Sequence, residues 1–270
     1  MVWIILALVG LIGGTIGSLM GLGGGIIVVP ALLFLASYSI LEITPQIAVG
    51  TSLVIMIGTG LSATIAYVKQ KKVDYKSGLL FFCASGPGAV VGAWLNRLVD
   101  TEAFQLLFGV FILLMATVLF IRKYLKKRPY VKKRIEREYI DTEQNLYTYG
   151  YNILPALSVA FMVGMLSGLF GIGGGSLMVP AMVVLFHFPP HLAVATSMFM
   201  ILLSAMVGSV SHMVLGNVNW LYVLALLPGA WLGGIAGAAL NKRLTSEKLM
   251  IVFRLMLIVI ALRLIYEGIV

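Results

Sequence analysis

Gly21-Leu22-Gly23-Gly24-Gly25-Ile26-Ile27-Val28-Val29-Pro30 returns, 150 positions later at the central glycine, as Gly171-Ile172-Gly173-Gly174-Gly175-Ser176-Leu177-Met178-Val179-Pro180. Each copy lies inside a long apolar run. The match extends outward: Ala48-Val49-Gly50-Thr51-Ser52 is answered by Ala193-Val194-Ala195-Thr196-Ser197, and Val73-Asp74 by Val218-Asn219. Gly88, Gly92 and Asn96 are answered by Gly233, Gly237 and Asn241, and Glu102 and Phe108 by Glu247 and Phe253. From Thr51 to Thr196 the offset is 145, so the first copy carries five extra residues between Pro30 and Ala48. A period this long is one duplication of a multi-helix unit rather than a solenoid repeat.

Composition names the solvent. With 60% hydrophobic residues, 11% charged residues and a mean hydropathy of +1.04 over 270 residues, the chain has more apolar surface than a soluble interior could hide, whereas a bilayer needs such a surface. The reading is an all-α polytopic membrane protein. The first 20 residues lack a positive n-region and read as a permanent membrane segment. The single Cys83 excludes an internal disulfide or a Cys-based zinc cluster and is expected to be a small buried filler.

A helix of about 20 apolar residues crosses a hydrocarbon core about 30 Å thick. Such stretches lie near 47–67, 78–96, 103–122, 192–214, 220–240 and 249–266. Two more, 2–37 and 153–188, are each broken at the glycines into a longer piece and one too short to span comfortably. The organisation is therefore a first membrane repeat over 1–125, a basic linker over 126–150 and a second repeat over 151–270.

Lys and Arg in short loops are retained on the cytoplasmic side. Lys69, Lys71, Lys72 and Lys76 mark one inner loop, and the run from Arg122 to Arg137, with nine basic residues against four acids up to Glu143, marks another. Carried onward, the uncharged turn Leu215-Gly216-Asn217-Val218 falls outside and Lys242, Arg243 and Lys248 fall inside. The span 47–67 then runs inward and its copy 192–214 outward, so the repeats are inverted. The broken segments become re-entrant hairpins, and because backbone leaves helical geometry at membrane depth only where protein or a watery cavity receives it, the two glycine tips are expected to meet near the transport path.

Glycine permits φ > 0 at a tight tip and removes the side chain that would keep a ligand from the backbone. The helix restarting after Gly25 or Gly175 offers unpaired N–H groups and the positive end of its dipole, which is the anion-site architecture of inverted-repeat transporters. The candidate binding residues are Gly23, Gly24, Gly25, Gly173, Gly174 and Gly175 through their N–H groups, with Ser176, Thr51, Ser52, Thr196 and Ser197 adding neutral donors. All ten acids, among them Glu42, Asp74, Asp100, Glu102 and Glu267, fall in loops or at span ends. No carboxylate stands ready at mid-membrane for a cation or a proton.

Other readings weaken on inspection. His187 and His191 fall in an inner loop and His212 near an outer helix end, where surface or packing roles outweigh proton coupling. Arg254 and Arg263 lie near the two ends of one span and read as snorkelling cations. The +9 charge sits on membrane-facing loops, which suits anionic lipid and not nucleic acid. Gly21-Leu22-Gly23 only superficially opens a dinucleotide fingerprint, since position 26 is Ile and no βαβ pattern surrounds it. There is no Gly-Lys-Ser/Thr phosphate loop, no His-Glu-x-x-His motif, and no implied cofactor or metal. An enzyme is not expected. The expected partners are a small anion and membrane lipid, with room left for a homo-oligomer.

The doubled pattern, Gly21 to Pro30 with Ala48 to Ser52 and Gly171 to Pro180 with Ala193 to Ser197, resembles the sulfite exporter TauE/SafE family, also called the 4-toluene sulfonyl uptake permease family. The resemblance covers nearly the whole chain apart from the basic linker. It implies a secondary carrier of sulfur-containing anions or organic acids, such as sulfite, sulfonates or sulfoacetate, in the plasma membrane and driven by an ion gradient. A passive anion channel and a non-transporting scaffold remain as alternatives.

Overall fold

A computed structural model describes residues 2–38, 40–121, 133–140, 146–241 and 247–269. Among these residues ten helices form two sets of five. The first set is α1 (Val2–Met20), α2 (Gly25–Ser37), α3 (Pro45–Lys69), α4 (Tyr75–Leu98) and α5 (Thr101–Ile121); the second is α6 (Ile153–Phe170), α7 (Gly175–Val184), α8 (Pro190–Val214), α9 (Trp220–Asn241) and α10 (Glu247–Glu267). The duplication is thus reproduced element for element, and both broken segments split at the glycines. Six helices, α1, α3, α4, α6, α8 and α9, are long and apolar enough to cross a membrane.

α3 and α8 form the centre. They pack on each other and are the most buried of the six, while α1 and α6 lie outside them. Each half clasps the other, because α1 packs chiefly on α9 and α6 chiefly on α4, with α5 against α10. Small residues permit the clasp. A methyl group at Gly88 or Gly92 of α4 would overlap the carbonyls of Phe161 or Met165 on α6, and one at Gly233 or Gly237 of α9 those of Leu11 or Thr15 on α1. Outward faces carry exposed Trp3, Leu8, Trp94, Leu98, Leu107, Leu224 and Leu232, the surface a bilayer solvates.

Two expectations are corrected. The chain is not all α: Ile135–Ile140 (β1) and Leu146–Tyr151 (β2) pair antiparallel, with Arg137 opposite Tyr149, inside the segment read as a basic linker and reaching one residue past its boundary. Cys83, expected as a buried filler, is exposed on α4, because the buried face of that helix is taken by Phe81, Ser85, Gly88, Ala89, Gly92, Ala93 and Asn96.

The hairpin is docked on the helices. Tyr149 and Tyr151 are buried with Phe81, Phe186 and Phe188 in one aromatic cluster, in which the Tyr149 and Phe188 rings lie 4.3 Å apart, and Gly150 N–H donates to Phe186 O at 3.0 Å. Polar contacts converge on Asp74, the N-cap of α4. Its carboxylate accepts from Ser77 N–H at 3.1 Å, from Ser77 Oγ and from Tyr149 Oη at 2.9 Å, and pairs with Arg137 Nη1 at 3.3 Å. Burial first, and then the adjacent Asp74 carboxylate, push the Tyr149 phenol far above its ordinary pKa, so it remains a donor.

Candidate functional site at the paired glycine tips

The polypeptide between α1 and α2 turns through Gly21, Gly23 and Gly24, at φ 74°, 81° and 97°. Its copy between α6 and α7 turns through Gly171 and Gly173, at φ 67° and 65°. These are left-handed conformations that a side chain disfavours. Gly174 differs from Gly24, adopting φ −54°, so the copies share the first turn and diverge at the helix start.

The tips touch. A methyl at Gly25 would overlap Gly171 O, and one at Gly175 would overlap Gly21 O. Met56 of α3 and Ile201 of α8, corresponding residues at offset 145, fill the space between them: a methyl at Gly23 or Gly173 would strike the Met56 methyl, and it would crowd Ile201 Cγ2 at Gly23 and rest against it at Gly173. All six site glycines are buried. In α2 the first helical bonds run from Ile27 and Val28 N–H to Gly24 O, which places the N–H groups of Gly25 and Ile26 ahead of any intrahelical acceptor. In α7 the first runs from Met178 N–H to Gly174 O.

Hydroxyl pairs hold this arrangement from the opposite half. Ser52 Oγ donates to Gly171 O at 2.9 Å, and Ser197 Oγ to Gly21 O at 2.8 Å. Thr51 Oγ1 accepts from Asn219 N–H at 3.1 Å, and Thr196 Oγ1 from Asp74 N–H at 3.0 Å. The four side chains expected to surround a ligand are fully buried and tie each tip, and each helix-capping turn, to the other repeat. Ser176 contributes its backbone to α7, and its side chain lies outside the described residues.

Sequence reasoning paired Asn96 with Asn241 without finding what they hold, and it missed a further pair at the same offset. Asn96 Nδ2 donates to Leu169 O and Asn241 Nδ2 to Leu19 O, both at 2.8 Å, fastening α4 and α9 to the ends of α6 and α1. Tyr67 Oη donates to Ser18 O at 2.8 Å, and its counterpart His212 reaches Gly168 O through Nε2 at 2.9 Å. His212 lies in the last turn of α8, near the helix end as expected, and is fully buried there, which leaves the packing reading over the surface one. Arg263 lies 4.1 Å over the Phe34 ring and bonds Glu267 at 2.8 Å, a paired and stacked cation rather than a freely snorkelling one; the Arg254 side chain lies outside the described residues.

Two clasped halves, each with a broken helix whose tip is held by the other half, make this a multi-pass membrane protein of the transporter type. The sulfite exporter TauE/SafE family model matches residues 6–264, and the chain belongs to that family. It is 54% identical over 273 residues to the probable membrane transporter protein YunE of Bacillus subtilis (strain 168), covering 100% of this chain and 99% of that one. It is 28% identical over 261 residues to a probable membrane transporter protein of Xylella fastidiosa (strain Temecula1), covering 96% and 93%. A stretch of 95 residues is 34% identical to sulfite exporter TauE/SafE family protein 5 of Arabidopsis thaliana, covering 34% of this chain and 20% of that protein. No solved structure matches the chain.

Proposed function

We propose that the protein is a secondary-active carrier of small sulfur-containing or organic anions, of the sulfite, sulfonate or sulfoacetate kind, working by alternating access in the plasma membrane with its 126–150 segment cytoplasmic. The observation that carries this reading is the contact between the two glycine tips, where the starts of α2 and α7 come together. Helix N-termini favour negative charge, and the buried side chains around these tips are neutral: Ser52, Ser197, Thr51, Thr196, Met56 and Ile201. An anion enters such a place more readily than a cation, which would want a carboxylate.

On this reading the conformation described is a closed one. Ser52 and Ser197 occupy the tip carbonyls, Met56 and Ile201 fill the gap, and the anion takes the N–H groups of Gly24, Gly25, Gly173, Gly174 and Gly175 when those two side chains swing aside, with that of Gly23 once it leaves Gly17 O. The hydroxyls of Ser176, Thr51 and Thr196 complete its shell, joined by those of Ser52 and Ser197 once they release the tip carbonyls. Inverted repeats supply the two access states, since rocking one half against the other exchanges which tip is open. The lysine-rich turn after α3 on the inside and the uncharged turn after α8 on the outside support the inversion.

A ligand that binds only the folded protein raises its apparent stability by mass action. Thermal unfolding of the purified protein with sulfite, thiosulfate, sulfoacetate, taurine or acetate should therefore show selective stabilisation by a sulfur oxyanion or a related organic acid. Equal shifts from all of them, or none, would count against an anion site at the tips and favour a scaffold.

A further inference from the structure

We propose that His212 is a proton-binding site in the second repeat, through which a proton acts on the glycine tip of that repeat. The inference deepens the carrier reading and rests on it for the coupling, while the proton site itself stands on geometry.

The two repeats perform one hydrogen-bonding task with different chemistry. Tyr67 and His212 correspond at offset 145, both are fully buried, and both bond a carbonyl three residues before the first tip glycine, Ser18 O before Gly21 and Gly168 O before Gly171. A phenol, with an ordinary pKa of about 10, keeps its proton throughout the physiological range. An imidazole is the side chain that changes charge between about pH 5 and 8. The first repeat therefore has a fixed latch and the second a titratable one.

The bonding pattern fixes where the proton goes. A carbonyl only accepts, so His212 Nε2 carries the hydrogen that Gly168 O receives, which leaves Nδ1 as the lone pair of the neutral ring. That nitrogen faces Asn217 Nδ2 at 3.4 Å. Adding a proton at Nδ1 sets N–H against NH2. The conflict is relieved when the Asn217 amide turns its oxygen inward or its turn moves away.

The turn is not free to move alone. Asn217 N–H donates to His212 O at 2.8 Å, Asn219 N–H donates to Thr51 Oγ1, and Asn217 O lies so close to Gly50 that a methyl there would overlap it. Gly50 and Thr51 directly precede Ser52, which holds Gly171 O. His212 thus touches the second tip from two sides, directly through Gly168 and indirectly through Asn217, Thr51 and Ser52.

Among the described residues, the elements packed against His212 supply no carboxylate to neutralise the charge. α6 and the turn 215–219 carry no titratable side chain, and α3 has only Tyr67 and Lys69 toward its far end. On α4, which reaches Leu169 O through Asn96, Arg97 is exposed, as is Asp100 just beyond the helix. An imidazolium there stands about one helical turn from Gly171 and attracts an anion to that tip. Because coupling between two ligands is reciprocal, the anion must in turn hold the proton more tightly.

The full-length protein in lipid nanodiscs, labelled with 15N-histidine, tests this directly, with only three histidines to assign and His212→Tyr identifying the signal. The His212 ring should pass from the neutral Nε2–H tautomer to the doubly protonated ring as the pH is lowered, with its midpoint raised by sulfoacetate. A ring that stays in one neutral tautomer throughout overturns the proposal. In proteoliposomes, sulfoacetate uptake should rise as the outer solution is acidified. His212→Tyr, which reproduces the latch of the first repeat, should retain folding and lose that rise, with His212→Gln as the second variant. Unchanged pH profiles in folded variants would overturn the proposal as well. A wild-type protein that moves none of sulfite, thiosulfate and sulfoacetate at any pH would instead sink the carrier reading, and the ring titration would still decide the proton site.

Discussion

Gly25 and Gly175 are required by close approach rather than by backbone dihedral. Each lies where a methyl would enter a backbone carbonyl of the other tip, and a carbonyl fixed in a turn cannot swing away as a side chain can. Gly25→Ala and Gly175→Ala should each destabilise the protein by at least about 1–3 kcal/mol, seen as lower thermal unfolding temperatures. Gly58→Ala, which meets only the Leu227 side chain, should cost much less. Ser52→Ala or Ser197→Ala leaves a tip carbonyl without its donor and should cost roughly 1–3 kcal/mol in the same measurement. Sequence identified the tip glycines, because φ > 0 and close approach leave glycine as a visible mark. It did not reveal that the two serines bond the tip carbonyls, since the partners stand 119 and 176 residues away and no local period encodes such pairs. Nor did it show that a valine at Gly24 would strike Gly13 O of α1, so that Gly24→Val damages packing before it could obstruct a ligand.

At the scale of elements, the helices were legible and the hairpin was not. Apolar runs bounded by Thr44-Pro45, Asp74, Pro189-Pro190 and Asn219 gave spans whose ends lie within a few residues of α3, α4, α8 and α9. The stretch from Ile135 to Tyr151 was submerged by its basic neighbours, although alternation at Tyr147, Tyr149 and Tyr151 was available as a strand signal. Tyr149 and Tyr151 matter because the first donates to Asp74 and the second meets Ser77, which bonds the same carboxylate. The copy of Asp74, Asn219, caps α9 through Leu221 and Tyr222 N–H without any hairpin. Asp74→Asn should keep the α4 cap, lose the Arg137 pairing and loosen the hairpin. Amide hydrogen exchange at Gly150 should then be faster while α4 stays protected; unchanged exchange at Gly150 would show that the aromatic cluster alone holds the strands. Tyr149→Phe should act in the same direction, lowering the unfolding temperature.

At the scale of the molecule, the duplication was readable because two copies of one unit preserve the same marks, and the clasp of α1 on α9 and α6 on α4 is the consequence of folding both copies against each other. The direction in which each copy crosses the bilayer rests on lysine and arginine placement. Lys76 and Leu221 are corresponding, exposed residues at the starts of α4 and α9. In a Cys83→Ser background, Lys76→Cys should react with an impermeant thiol reagent only from the cytoplasmic side and Leu221→Cys only from outside. Labelling of both from one side would make the repeats parallel.

The most direct test of the central claim is accumulation in proteoliposomes of sulfite, thiosulfate or sulfoacetate under an imposed ion gradient. A carrier built on paired tips should give saturable uptake that runs above the external concentration and collapses when an ionophore dissipates the gradient. Flux that is linear in concentration and indifferent to the gradient, or no flux of any tested anion, would contradict it.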